Sequence, residues 1–205
     1  MMAMIPMESV HEQCVQALAL QLAGLRPRQI NALLGTIPTP SELPLGLPSG
    51  LDLYERELQR YGGQAEAILG RCAELGIGIH PSSSPSYPSA LRSRLGGQCP
   101  PLLYTLGMCE LLEEHRRVAV IGTRVPDAEG LAYTRSATRE FVRRGAVILS
   151  GLARGCDVEA HRTCLEEGGL GVAVVATGLD ETYPREHTAL QNALLGRGGL
   201  ILSEY

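Results

Sequence analysis

The sequence predicts an α/β chain: a Rossmann-like parallel sheet with helices on both faces, preceded by a small all-helical module. Three observations predict it. From about residue 116, short apolar, β-branched runs alternate with helical stretches. That alternation implies parallel strands joined by crossover helices and covered on both faces. Upstream of about residue 76, apolar residues recur at helical spacing instead. Finally, 205 residues with 44% hydrophobic and 20% charged side chains suit one ordinary domain plus something smaller.

The domains expected are therefore 1–75, helical, and 76–205, Rossmann-like. In the first, residues 10–24 carry Val15, Leu18 and Leu22 at helical spacing, continued by Leu25. Next comes LRPRQINALLG, with Pro27 as a first-turn residue and Gly35 as the stop. The Pro/Gly-rich segment 36–50 reads as loop. Two helices are expected over about 51–60 and 63–75. Residues 76–110 are turn-rich and partly extended. Then strands are expected at 116–122, 146–150, 171–178 and 200–205. Helices are expected at 127–144, capped by Asp127 and stopped by Gly145, at 157–167, opened by Asp157, and at 185–196.

Composition excludes several classes. The chain has no Trp and one Phe, so an aromatic platform that stacks successive bases is disfavoured. No apolar run approaches the roughly 20 residues of a membrane span, and Met1–His11 lacks the basic start of a secretory signal. The expectation is an intracellular, cytoplasmic protein with no membrane partner. Net charge is −4, and the basic side is all Arg. Residues 1–110 hold 7 Arg against 9 acids, and residues 111–205 hold 11 against 13. Nucleic-acid binding thus requires a local patch. Six scattered Cys with no CxxC pair read as free thiols. Cys156, His161 and Cys164 match no common zinc spacing, so no metal is expected.

In a doubly wound sheet, ligands bind beyond the carboxyl ends of the strands. Three such ends are legible: Gly122-Thr123-Arg124, then Ser150 through Asp157, then Thr177-Gly178-Leu179-Asp180 leading to Tyr183-Pro184. Gly122, Gly151, Gly155 and Gly178 allow close backbone approach. Thr123 and Ser150 supply hydroxyls. Arg124 and Arg154 supply two forks suited to phosphate oxygens. Helix N-termini add free N–H groups. The sum is an anion pocket for a phosphate or a short stretch of nucleic-acid backbone. There is no G-x-G-x-x-G and no P-loop signature, so neither a dinucleotide cofactor nor P-loop NTP hydrolysis is expected, and no cofactor is assigned.

VAVIGTR, SGLARGCDVEAH, AVVATGLDETYP and ILSEY, in this order, resemble the DprA/Smf DNA-processing family, with YPSAL at 87–91 and PPLLYTLG at 100–107 resembling its lead-in. The resemblance covers about 76–205 well and the N-terminal helices loosely. It implies an extended Rossmann domain, often preceded by a sterile-alpha-motif-like one. It also implies a mediator without established turnover, which binds single-stranded DNA and hands it to the RecA recombinase during natural transformation. The family's DNA-binding pocket maps onto Gly122, Thr123, Arg124, Ser150, Gly151 and Arg154. Three positions depart from the family: Cys156 where Ile is common, Leu170 where a DNA-contacting Lys is usual, and His187 where Asn is usual. The family normally continues beyond ILSEY into an Arg/Asn-rich segment and more sheet, which serves DNA site and dimer. Against it the chain reads as truncated, and dimerisation stays open.

Other readings stand beside these. Tyr183 either stacks on a base or simply forms a rigid turn with Pro184. Asp157 reads as a helix N-cap, and His161 as its i,i+4 hydrogen-bond partner. Ser150, Asp157 and His161 do not make a hydrolytic relay by spacing alone. Arg135, Arg139 and Arg143 form a stripe that reads better as a solvated face than as a phosphate track. The protein is expected not to be an enzyme. The alternative is a nucleotide-binding or nucleotide-processing Rossmann protein, such as a LOG-like nucleoside-phosphate hydrolase or a nucleotide sensor.

Overall fold

The computed structural model describes residues 9–35, 50–114 and 116–205. Two compact units divide it, Met1–Leu103 and Tyr104–Tyr205.

In the first unit, α1 (Val10–Leu22) opens with a capping box: the Glu12 N–H donates to Ser9 Oγ at 3.2 Å, and the Ser9 N–H donates to Glu12 Oε2 at 2.7 Å. Pro27 begins α2 (Pro27–Leu33), and Gly35 at φ +67° follows its end. The loop expected over 36–50 lies almost wholly outside the described residues. So do residues 1–8 of the Met1–His11 segment. One helix, α3 (Gly50–Glu74), replaces the two expected over 51–75. Gly62-Gly63 does not break it, although each glycine costs about 1 kcal/mol in a helix. Ala65, Leu69 and Cys72 are buried at i, i+4 and i+7, and α3 packs on α1, so tertiary burial outweighs local propensity. The change of pattern near 76 falls between the end of α3 and β1 (Gly78–Pro81). A short helix α4 (Ser89–Leu95) follows.

The remaining elements are β2 (Leu102–Gly107), β3 (Arg117–Ala119), α5 (Ala128–Arg143), β4 (Val147–Ser150), α6 (Cys156–Glu166), β5 (Gly171–Val175), α7 (Thr188–Gly196) and β6 (Leu200–Ser203). The fold is α/β, with a mostly parallel six-stranded sheet flanked by helices. Its order is β1-β2-β6-β5-β4-β3. Strands β3 to β6 run parallel in sequence order, and β2 pairs antiparallel with β6 from Tyr104↔Ser203 to Gly107↔Leu200. Neighbouring helices α5 and α6, and α6 and α7, pack together over the sheet. Ile148, Ala160 and Cys164 form a fully buried cluster there, covered by Val120, Phe141 and Val142. This parallel register brings the carboxyl ends of β3, β4 and β5 to one rim.

Local punctuation sets the helix bounds. Asp127 caps α5 by accepting the Gly130 N–H at 2.7 Å, and Gly145 at φ +73° lies just beyond its end. The cap expected of Asp157 is not formed. Helix α6 starts one residue earlier, its N-cap position is Gly155 at φ +80°, and Asp157 sits inside the first turn. Strand β3 is only three residues long where seven are expected, because the backbone beyond Ala119 leaves the ladder after a single bond from the Val120 N–H to the Leu149 carbonyl.

Candidate nucleic-acid interface

A cleft of about 920 Å³ opens at the rim. Its walls come from Arg124 and Val125 after β3, Gly151 to Arg154 and Asp157 after β4, Val174 to Thr177 along and after β5, and Tyr183 to Glu186 before α7. Of the residues expected at the site, Arg124, Gly151, Arg154 and Tyr183 line this cleft. Gly122, Thr123, Gly155 and Gly178, in the loops that shape it, and Ser150, the last residue of β4, do not.

What those five do is visible in their contacts. Ser150 is buried and donates its hydroxyl to the Val120 carbonyl at 2.6 Å, which joins the ends of β3 and β4. Thr123 accepts the Val125 N–H on its Oγ1 at 3.2 Å, and its carbonyl accepts the Cys156 N–H at 3.1 Å. A Cβ on Gly122 would stand 2.5 Å from Cys156 Sγ, and one on Gly155 would meet the Thr123 carbonyl and the Arg124 backbone. A Cβ on Gly178 would stand 2.7 Å from Asp180 Oδ1. These glycines therefore let loop approach loop and helix, and the seam they permit fixes the Arg124 backbone.

The charged groups divide sharply. Among the described residues, Arg124 makes no ion pair. Arg154 is held in bidentate fashion by Glu186: Nε donates to Oε1 at 2.7 Å and Nη2 to Oε2 at 2.9 Å. That hydrogen bonding raises the Arg154 pKa and lowers that of Glu186. Arg185 pairs with Glu181 at 3.0 Å. Asp157 lies beneath the loops, and its Oδ1 has no hydrogen-bond partner. Burial raises its pKa, opposed chiefly by the Gly122 backbone and also by those of Ala153 and Gly151.

His161 is fully buried, and neither ring nitrogen makes a hydrogen bond. The i,i+4 bond to Asp157 is thus absent, because Asp157 is turned to the loops. Burial pushes the His161 pKa down to about 4. The arginine stripe of α5 is not simply solvated: Arg135 pairs with Glu159, Arg139 with Glu167 at 2.6 Å, and Arg143 with Glu167 at 3.4 Å, all acids on or at the end of α6. All six cysteines are free thiols. Among the described residues no group of three or more His, Cys, Asp or Glu could hold a metal, and no helix is long and apolar enough to cross a membrane.

Sequence reasoning missed the apolar wall of Val125 and Val174, 88% and 47% exposed, and it missed Glu186. It also missed the role of His187, a buried residue whose Nδ1 lies 2.6 Å from the Leu152 carbonyl. That contact ties the segment after Tyr183-Pro184, a cis peptide, to the loop that carries Arg154. The departure from Asn at 187 was the one signal available for it.

Comparison with known proteins converges on one group. The DNA processing protein DprA of Bacillus subtilis is 32% identical over 151 residues, covering 74% of this chain and 50% of that protein. The Smf protein of Synechocystis is 41% identical over 109 residues, 52% of this chain and 27% of its own length. The chain thus spans half or less of these relatives. The crystal structure of DprA from Streptococcus pneumoniae superposes with a TM-score of 0.74 at 27% identity, over 97% of this chain and 68% of that one. A Helicobacter pylori DprA structure, described for its single-stranded DNA binding mode, aligns with a TM-score of 0.53 at 32% identity, over 63% of this chain and 55% of that one. The family model for DNA recombination-mediator protein A matches residues 79–205, and the chain belongs to that family.

Proposed function

We propose that this chain binds single-stranded DNA in the rim cleft and acts as a DprA-type mediator. In that role it protects incoming strands and passes them to the RecA recombinase during natural transformation, in the cytoplasm and without turnover of its own. Family membership supports the class. The observation that carries the site is Arg124, a guanidinium with no acidic partner among the described residues, on the wall of a cleft that also holds Arg154 and Arg185. An unpaired guanidinium presents its fork to phosphate at no cost in broken ion pairs. The exposed faces of Val125, Val174 and Tyr183 offer an apolar wall beside it, against which a base can rest. A homodimer and RecA contact enter from the resemblance alone.

The test is fluorescence anisotropy of labelled oligo-dT at several salt concentrations. Arg124→Ala is expected to weaken binding at least about ten-fold, the equivalent of one charge-assisted hydrogen-bonded contact. It should also flatten the slope of log K against log salt by about 0.7. Unchanged affinity and slope would refute the site. Release of free base from a nucleoside monophosphate would favour the hydrolase reading instead.

A further inference from the structure

We propose that Glu186 is a built-in competitor for the nucleic-acid phosphate at Arg154, so that DNA binds by exchanging one oxyanion for another on the same guanidinium. This rests on the single-strand reading given above. The Glu186 carboxylate grips Arg154 with two parallel N–H···O bonds of 2.7 and 2.9 Å, the geometry a phosphate would adopt on the same fork. Both side chains line the cleft, and both are largely in water, 65% and 52% exposed.

The backbone holds the competitor in place. Glu186 sits in the short turn Arg185–His187, and the buried His187 ring touches the Leu152 carbonyl, two residues before Arg154. Competitor and arginine are thus tethered to one another by a contact outside the pair itself. Glu186 is therefore held close to Arg154 at the high effective concentration of an intramolecular group. An exposed pair of this kind is weak enough to be displaced. The apparent DNA affinity is the intrinsic affinity reduced by the fraction of molecules with Arg154 released. Phosphate gained at Arg154 is offset by carboxylate lost, whereas phosphate gained at Arg124 is not. Arg124 is accordingly the first anchor, and Arg154 engages by exchange.

The experiment measures oligo-dT affinity for the full chain and for Glu186→Gln, Glu181→Gln, Arg154→Ala and the Arg154→Ala/Glu186→Gln double variant. Glu186→Gln keeps the shape and removes the charge. It should tighten binding about two- to five-fold, the range of an exposed ion pair converted to affinity. Glu181→Gln makes the same charge change on the Arg185 pair and should do less. In the Arg154→Ala background the gain from Glu186→Gln should shrink to the level of that control. Unchanged or weaker binding by Glu186→Gln overturns the proposal, as does a gain that persists without Arg154. Those failures are distinct from failure of the DNA reading, which would show as no dependence on Arg124.

Discussion

Two sets of arginines sit within one α/β unit and meet different acids. On the α5 face, Arg139 and Arg143 share Glu167 and Arg135 meets Glu159, carboxylates only 20% and 11% exposed. At the rim, Arg154 meets a carboxylate that is 52% exposed, and Arg124 meets none among the described residues. The residue type is the same, so the difference lies in the acceptor. An acid on or at the end of a packed helix, less exposed, is harder to displace, and its arginine is held against the fold. An acid on an exposed turn exchanges with solvent or ligand. The rim is where cations are kept available, and the α5–α6 face is where they are spent on packing.

The sharpest way to break that contrast is to disturb the seam that places Arg124. Gly155 at φ +80° has no room for a Cβ, which would meet the Thr123 carbonyl and the Arg124 backbone. Gly155→Ala should cost about 2–4 kcal/mol, positive-φ strain plus displaced backbone, and lower Tm by about 5–10 °C. DNA affinity should fall as well, since Arg124 moves. Gly168 at φ +72° has nothing within 4 Å of its would-be Cβ, so Gly168→Ala should cost about 1 kcal/mol and leave binding alone. Calorimetry and anisotropy on the two variants check this; equal losses would mean that the seam has no special role.

A second measurement probes the helix that serves both regions. His161 on α6 titrates near 4 in the fold against 6.5 for a free ring, so between those values the unfolded chain binds the extra proton. Stability contributed by the neutral ring is full above pH 6.5 and lost as pH falls toward 4. The total is about 3 kcal/mol at 1.36 kcal/mol per pH unit. Asp157, whose pKa is raised by burial, works in the opposite direction. The informative quantity is therefore the difference between wild type and His161→Leu in denaturant unfolding from pH 7 to pH 4. That difference should shift by about 3 kcal/mol in favour of the variant. A flat difference would mean that the ring is hydrated in the fold.

Much of this architecture was legible because it is written locally. Asp127 three residues before Gly130, Gly145 after the α5 periodicity, and apolar runs of four or five residues each report on their own neighbourhood. What escaped is non-local. Helix α3 runs through Gly62-Gly63 because of burial against α1. Asp157 moves inside a helix turn because Gly155 starts it, and it then points to loops brought in by other strands. The Glu186 partner of Arg154 lies 32 residues away along the chain, and no spacing rule connects them. The anion rim could be read from three strand ends, but whether each arginine on it was free could not, since that depends on which acids the fold delivers.

The smallest expected effect is the one that most sharpens the contrast. Arg139→Ala removes one positive charge, as Arg124→Ala does, but from an arginine whose Nε already donates to Glu167 at 2.6 Å. It should change stability little, as the loss of a partly exposed ion pair usually does. DNA affinity should stay within about two-fold of wild type, and the salt slope should not change, because no phosphate contact is lost. Net charge is the same in both variants, so a ten-fold gap between them isolates position from charge. If Arg139→Ala weakened oligo-dT binding as much as Arg124→Ala, the α5 stripe would be a phosphate track after all, and its pairing with Glu167 would be as exchangeable as the pair at the rim.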